Sequence, residues 1–202
     1  MASADAPDTV APDTRLVHGT CLVIGGCGVL ILGPSGSGKS DLALRLIDQP
    51  GRGTGLEAMT ARLVADDQVV ITKRDGRLFA APPPALAGLM EVRGVGIVTV
   101  DFVSEAALGL AVRLAEAGTI ERLPDPRQSQ YVLLGLTLPA IAVDAAAASA
   151  PARIRTGVVE ILRLSSKPDG LTNDSKAGKT PEGSLQLSGR TDKMVRDGAK
   201  RP

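Results

Sequence analysis

A phosphate-binding pattern constrains the fold of this chain more than any other feature. The segment Gly33–Ser40 fits G-x-x-x-x-G-K-[S/T] in full, with the apolar run Val29–Leu32 before it and helical apolar spacing over Lys39–Ile47 after it. In a strand, glycine-rich loop and helix, backbone N–H groups and the helix N-terminus face phosphate oxygens. Lys39 would reach the terminal phosphates, and Ser40 would ligate Mg²⁺. The sequence predicts a phosphorylated ligand, in the first place a nucleotide, bound by Gly33, Pro34, Ser35, Gly36, Ser37, Gly38, Lys39 and Ser40.

Composition excludes several other classes of protein. Lys+Arg number 23 and Asp+Glu 22, so the net charge of +1 gives no strongly basic surface for nucleic acid. Phe79, Phe102 and Tyr131 are the aromatic residues, too few for a surface on which bases stack. The N-terminus lacks a signal peptide, and no apolar run approaches the ~20 residues that span a bilayer. Cys21 and Cys27 have neither C-x-x-C nor metal-site spacing. The chain is expected to be cytoplasmic, with no nucleic-acid or membrane partner.

The folded domain is predicted to span residues 15–164. Residues 1–14 are rich in Ala, Asp and Pro and are predicted to be disordered, and residues 165–202 are predicted to form a flexible tail, which leaves open whether they fold on a partner. Strand-like runs and turn signals alternate between them, at Arg15–Ile24, Gly28–Leu32, Arg62–Ala65, Val69–Thr72, Leu78–Ala80, Gly96–Val100, Tyr131–Leu134 and Ile141–Val143. The stretch Ala152–Leu164 fits a helix and a strand equally. The predicted fold class is α/β, with α+β as the alternative: a single catalytic domain with a P-loop-containing central mixed sheet flanked by helices.

Three further features carry chemistry of their own. Asp66 and Asp67 end the apolar run Arg62–Ala65, which is typical of a strand that brings carboxylates to Mg²⁺ and to an attacking hydroxyl, although such a pair also occurs in turns and helix caps. Glu91 stands just before two glycines and a Val/Ile-rich strand. His18 is the single histidine, and its position fits a structural role as well as a catalytic one.

A GTPase is excluded because the base-reading motif N-K-x-D is absent from the sequence.

Together these segments resemble HPr kinase/phosphorylase, a bacterial enzyme of the sugar and nitrogen phosphotransferase systems. The matching segments appear in the order of that family: His18-Gly19, Gly33–Ser40, Leu63–Asp67, Ala81-Pro82, Gly88–Ile97 and Glu121–Leu123. They span about residues 16–145, and the Glu91–Ile97 segment is more specific to the family than the phosphate loop is.

The resemblance implies a serine kinase that uses ATP and Mg²⁺ and acts on HPr or a nitrogen-branch HPr-like phosphocarrier protein. The family also reverses this transfer by phosphorolysis, and its long form is a hexamer, so a homo-oligomer is expected. The catalytic positions of the family correspond to His18, Lys39, Asp66 and Arg122, with Asp66 as the proton acceptor. Its Mg²⁺ ligands correspond to Ser40 and Glu91, with Asp67 assisting at the metal.

The chain also departs from the family pattern. No N-terminal domain fits before His18, so the chain resembles a short form without the metabolite control that such a domain would give. Pro50–Thr60 resembles an inserted, glycine-rich flexible loop. The Ala-rich stretch after Val143 lacks the loop that the family uses for phosphorolysis, which puts the reverse reaction in doubt, with Arg153 or Arg155 as possible substitutes.

Two other functions remain as alternatives. A P-loop kinase of a small molecule, such as a carboxykinase relative, would need a histidine and a lysine at a transition metal, which the single histidine disfavours. A non-catalytic nucleotide-binding regulatory module would have no need of a general base. The substitution Asp66→Asn distinguishes the latter from a kinase, because only a kinase would lose phosphate transfer.

Overall fold

The computed structural model describes residues 13–125 and 127–165, in which eleven strands and two α-helices are found. The strands are β1 (Asp13–His18), β2 (Thr20–Ile24), β3 (Cys27–Leu32), β4 (Ala61–Ala65), β5 (Gln68–Arg74), β6 (Arg77–Ala81), β7 (Leu89–Val92), β8 (Gly96–Thr99), β9 (Ala106–Leu114), β10 (Gln130–Leu133) and β11 (Leu136–Val143). The helices are α1 (Lys39–Asp48) and α2 (Ala150–Ser165), with short 3₁₀ turns at Pro84–Leu86 and Ala117–Thr119.

Nine of these strands form one mixed sheet, whose main path runs β1-β5-β6-β9-β3-β2-β4. Strand β9 lies at its centre and pairs in parallel with β3 along one edge, while β6 and β11 share its other edge. Strand β10 joins the sheet through β11, and β7 and β8 form a separate hairpin. The α/β class with a mixed central sheet is therefore confirmed.

The core lies on both faces of the sheet. On one face, alternate residues of β2, β3 and β9 pack against Leu42 and Leu46 of α1 and Ile154 and Val158 of α2. On the other face, the remaining residues of these strands contact Ile71 and its neighbours in the β5–β6 hairpin. The period of two in a strand sends successive side chains to opposite faces, so the central strands are apolar on both. Both helices therefore cover the same face, and the sheet's own hairpin covers the other.

One edge of the sheet gathers several strand ends. Strands β3, β4, β9 and β11 run in the same direction, since β3 and β11 are parallel to β9, and β4 and β3 are both antiparallel to β2. The phosphate loop, Asp66 and the turn Asp144–Ala147 follow the carboxyl ends of β3, β4 and β11. Antiparallel β2 begins at this edge, just after His18. In open α/β sheets this edge is where ligands bind.

Two strands differ from expectation. The predicted strand Arg15–Ile24 is broken at Gly19, so β1 pairs with β5 whereas β2 pairs with β3 and β4. A side chain at Gly19 would lie 2.8 Å from the carbonyl oxygen of Ile31, so only glycine fits this close approach. The sequence reasoning also missed β9, the central strand, because its Ala- and Leu-rich residues favour a helix as much as a strand.

The segment Pro50–Thr60, predicted to be an inserted flexible loop, makes defined contacts with the rest of the fold. Gly51 and Met59 form a bridge, and Arg155 donates to the Met59 carbonyl at 3.3 Å. A side chain at Gly53 would lie 2.5 Å from the backbone nitrogen of Thr156 in α2. The segment thus packs directly on α2.

The predicted domain limits are close to those of the described elements. Asp13 and Thr14 belong to β1 and are not part of a disordered terminus, and α2 ends at Ser165. The remaining parts of the predicted disordered terminus and tail, residues 1–12 and 166–202, lie outside the described residues. Neither described helix has the length and apolar composition needed to span a lipid bilayer.

Candidate active site

An open cleft of about 550 Å³ lies at the carboxyl edge of the sheet. The residues that line it come from the phosphate loop, the first turns of α1, the end of β1, the residue after Asp66, the β7–β8 hairpin and the turn after β11: His18, Ser35, Gly36, Ser37, Gly38, Lys39, Ser40, Asp41, Leu44, Asp67, Glu91, Val92, Arg93, Ala145 and Ala146. Segments far apart in sequence thus meet at one opening.

The phosphate loop has the geometry that its sequence predicts. Gly36 and Gly38 adopt φ values of +75° and +90°, which glycine tolerates without strain, and α1 begins directly at Lys39. Ser37 Oγ is buried and has no hydrogen-bond partner among the described residues. A buried polar atom without a protein partner is a group that a bound anion or a water can satisfy. The loop therefore offers an anion site at a helix N-terminus.

Lys39 is almost fully buried, and hydrogen bonds hold its ammonium group at the base of the loop. Its Nζ donates to the carbonyl oxygens of Gly33 and Pro34 at 3.0 and 2.9 Å and contacts His18 Nε2 at 3.1 Å. An ammonium group carries only donors, so Nε2 accepts and the proton of His18 lies on Nδ1. The lysine and the histidine thus form one network beside the phosphate loop.

His18 connects this network to Asp67. Its Nδ1 lies 3.1 Å from Asp67 Oδ1, and the Asp67 side chain is 68% exposed on the cleft side. Asp67 adopts φ +63°, a left-handed conformation that aspartate tolerates better than most residues, and its carbonyl accepts from Gly19 N at 3.1 Å. The tight turn after β4 therefore aims this carboxylate into the cleft.

Asp66 faces the opposite way, into the protein. Its Oδ1 accepts hydrogen bonds from Thr20 Oγ1 at 2.8 Å and Ser40 Oγ at 2.9 Å, and its Oδ2 accepts one from Glu91 N at 3.4 Å. The residue is only 6% exposed. Sequence reasoning missed Thr20, because nothing local distinguishes this threonine from an ordinary strand residue.

The oxygen atoms around Ser40 suit Mg²⁺, which prefers hard oxygen ligands and retains several waters. The Ser40 hydroxyl already contacts Asp66, and Glu91 and Asp67 line the same cleft. Among the described residues no three acidic, histidine or cysteine side chains converge on one point. A magnesium ion beside Ser40 and Glu91 would therefore need phosphate oxygens and water to complete its shell.

Arg122 lies outside this cleft. It borders a second cavity of about 400 Å³ together with Glu121, Asp144 and Arg153. The turn Asp144–Ala147 stands between the two cavities, since Ala145 and Ala146 line the first, and Asp144 and Ala147 the second. The structure thus brings together every predicted site residue except Arg122.

Arg155, one of the two candidate substitutes for the missing phosphorolysis loop, lies away from both cavities. It is only 2% exposed and donates to the carbonyl oxygens of Leu46 at 2.9 Å, Gln49 and Met59. Burial lowers the pKa of its guanidinium group below its usual value. Its contacts tie the C-terminal end of α1 to α2, which is a structural arrangement.

Comparison with known proteins places the chain in a family. A family model described as the HPr Serine kinase C-terminal domain matches residues 8–168. The chain belongs to this family. The resemblance predicted from the sequence motifs is therefore confirmed.

Two curated relatives are each named HPr kinase/phosphorylase. That of Clostridium botulinum (strain Eklund 17B / Type B) is 45% identical over 93 residues, 46% of this chain and 27% of the relative. That of Clostridium tetani (strain Massachusetts / E88) is 39% identical over 130 residues, 64% of this chain and 38% of the relative. The chain thus matches well under half the length of these members of the HPr serine kinase family.

A solved structure, the Hpr(Ser) kinase/phosphatase from Coxiella burnetii, has a similar fold. It superimposes with a TM-score of 0.60 at 28% identity, over 75% of this chain and 97% of the other. The match covers nearly all of that solved chain, so its architecture corresponds to the domain described above.

Proposed function

We propose that this protein is a serine kinase that transfers phosphate from ATP, with Mg²⁺, to HPr or a nitrogen-branch HPr-like phosphocarrier protein. The observation that carries the proposal is the cleft that joins the phosphate loop to two carboxylates of opposite orientation, Asp66 and Asp67. Family membership supports the choice of substrate. We also propose a cytoplasmic location, where ATP is available. The resemblance leads us to expect a hexamer, which light scattering would test.

The donor phosphates would bind in the phosphate loop. Backbone N–H groups from Gly36 to Ser40 and the N-terminus of α1 would hold the oxygens, and the buried Ser37 hydroxyl would gain a partner. Lys39 would exchange its carbonyl partners for the terminal phosphates. Mg²⁺, held by Ser40 and Glu91 with Asp66 supporting the Ser40 hydroxyl, would supply neutralisation of the charge that develops on the phosphate oxygens.

Asp67 is better placed than Asp66 to accept the serine proton. A general base must come within hydrogen-bond distance of the attacking hydroxyl, and Asp67 lines the cleft whereas Asp66 is buried with its oxygens engaged. The sequence motifs suggested the reverse assignment. We therefore assign proton acceptance to Asp67, oriented by His18, and support of Ser40 to Asp66.

The proposed transfer proceeds in line. The serine hydroxyl gives its proton to Asp67, its oxygen bonds to the γ-phosphorus, and the bond from that phosphorus to the β–γ bridging oxygen breaks, which releases ADP. Arg122 lies too far along the edge to line the cleft, so any contact it makes with the transferred phosphate requires a movement on binding.

The test incubates the purified protein with γ-labelled ATP, Mg²⁺ and the host's HPr-like proteins and maps the labelled residue. Acid-stable label on a serine supports the proposal. Asp67→Asn keeps the shape and tolerates the same φ, so it should abolish transfer and leave nucleotide binding intact. Asp66→Asn should weaken Mg²⁺-dependent nucleotide binding.

Two outcomes of this experiment would count against the proposal. If the protein binds nucleotide but labels no HPr-like protein, the result would favour a small-molecule kinase or a non-catalytic module instead. Full transfer by Asp67→Asn would contradict the assignment of the base. Excess inorganic phosphate, added to the labelled product, tests the reverse reaction, in which phosphoserine and phosphate yield serine and pyrophosphate.

A further inference from the structure

A buried hydroxyl outside the family motifs touches the centre of the site. Thr20, the first residue of β2, has no exposed surface, and its Oγ1 donates to Asp66 Oδ1 at 2.8 Å. The register of β2 on β4 pairs Cys21 with Ala65, so Thr20 lies across from Asp66 where β4 ends. This contact is therefore built by the pairing of two strands and does not depend on a flexible loop.

The Thr20 contact differs from the other two that Asp66 makes. Ser40 Oγ donates to the same oxygen, Oδ1, but this hydroxyl is also the proposed Mg²⁺ ligand. The contact from Glu91 N to Oδ2 is long, at 3.4 Å. Among the described residues, Thr20 is thus the one close donor to this carboxylate with no other proposed role.

We propose that Thr20 is a positioning residue that holds the Asp66 carboxylate toward Ser40, so that the pair is set for Mg²⁺ before the metal arrives. This inference rests on the proposed function for the identity of the ligand, but the orientation of Asp66 can be tested without it. Thr20 acts through Asp66, since it does not line the cleft. Its β-branched shape also suits a strand position, so the hydroxyl can be removed with little change in packing.

The main variant is Thr20→Val, which keeps the branched shape and lacks the donor. Thr20→Ser is the matched control, because it keeps the hydroxyl, and Thr20→Cys leaves only a weak S–H donor if the valine variant does not fold. Binding of a non-hydrolysable ATP analogue is measured by calorimetry with and without Mg²⁺. The ratio of the two dissociation constants isolates the metal-dependent part of the affinity.

Loss of a hydrogen bond to a charged group corresponds to roughly 10- to 100-fold in affinity. Since Glu91 N can still contact Asp66 Oδ2, we expect the low end, a Mg²⁺-dependent increment reduced ~10-fold in Thr20→Val and restored in Thr20→Ser. Binding without Mg²⁺ should stay at the wild-type value. An unchanged increment in Thr20→Val, or an equal loss with and without Mg²⁺, would overturn the positioning role.

A second measurement needs no nucleotide. In a crystal structure of ligand-free Thr20→Val, the Asp66 carboxylate should rotate away from its 2.9 Å contact with Ser40 Oγ. A carboxylate that keeps this contact would contradict the inference. If the wild-type protein binds no nucleotide at all, the proposed function fails, whereas the rotation of Asp66 still decides the role of Thr20.

Discussion

Replacement of Arg155 by methionine should destabilise the fold without acting on the chemistry of the site. The guanidinium donates to three backbone carbonyls, those of Leu46, Gln49 and Met59, and is 2% exposed. The Leu46 carbonyl lies in the last turn of α1, where carbonyls have no partner within the helix. Methionine preserves much of the side-chain volume and leaves all three oxygens without this donor.

Two opposing effects determine the size of the loss. A hydrogen bond to a charged group contributes about 1.5–3 kcal/mol, and three such bonds are lost. Against this, the substitution removes the free-energy cost of burying a charged guanidinium, the same cost that lowers its pKa. The net effect should be about 3 kcal/mol of unfolding free energy, since the loss of three charge-assisted hydrogen bonds, one of them to the buried Leu46, outweighs the relief.

The assay is thermal unfolding of the ligand-free protein. A loss of about 3 kcal/mol in a chain of this size lowers Tm by about 6–12 °C. Arg153→Met is the matched control, because this exposed arginine lies two residues earlier on α2, and its Tm should stay within about 1 °C of the wild type. Arg155→Lys should be intermediate, since a lysine lacks the planar fork that reaches several acceptors.

A specific result would refute this reasoning. If Arg155→Met unfolds at the wild-type temperature but loses the reverse reaction with inorganic phosphate, the arginine acts in the chemistry, as the sequence-based alternative held. A lowered Tm with the ratio of forward to reverse rates unchanged supports the structural role.

Three further predictions concern two glycines in turns, the two cysteine thiols and the Ser37 hydroxyl. Gly53→Ala should lower the unfolding free energy by more than 1 kcal/mol, because φ is +56° there and the new Cβ would also meet the backbone of α2. Gly26→Ala is the control, because φ is +83° but nothing lies within 4 Å, and it should lower the unfolding free energy by only ~1 kcal/mol. Urea unfolding of the two variants measures the difference. Burial raises the pKa of the Cys21 and Cys27 thiols above 9.0, so at high pH the folded state keeps protons that the unfolded state releases. The unfolding free energy should therefore be constant below pH 9 and fall above it, less steeply in Cys21→Ala. Chemical denaturation between pH 7 and 10 measures this dependence. Ser37→Ala should leave ligand-free stability unchanged or higher, since its hydroxyl lacks a partner, and should weaken nucleotide binding in calorimetry. Unchanged nucleotide affinity in that variant would show that the hydroxyl does not face the ligand.

Several features of the fold and site could be predicted because they depend on neighbours in sequence. The phosphate loop is a contiguous segment whose glycines allow its own backbone curvature, and α1 follows from apolar spacing over Lys39–Ile47. The hairpin around Gly76 follows from its turn residues. The motif order also identified the family, which the match over residues 8–168 confirmed.

Other features required long-range pairing, which local patterns do not encode. Strand β9 pairs with β3, about 80 residues earlier in the chain, and this partner decides that an Ala- and Leu-rich run is a strand. The direction that each of Asp66 and Asp67 faces is set by the turn after β4 and by Thr20, far away in sequence. A sequence lists which charged residues exist, but only strand pairing and packing decide which of them are buried together and which face the cleft. The sequence by itself therefore determined the glycine-rich loop and the family, while the tertiary structure alone showed that Asp66 is buried, that Asp67 lines the cleft and that Arg155 bonds to backbone carbonyls away from it.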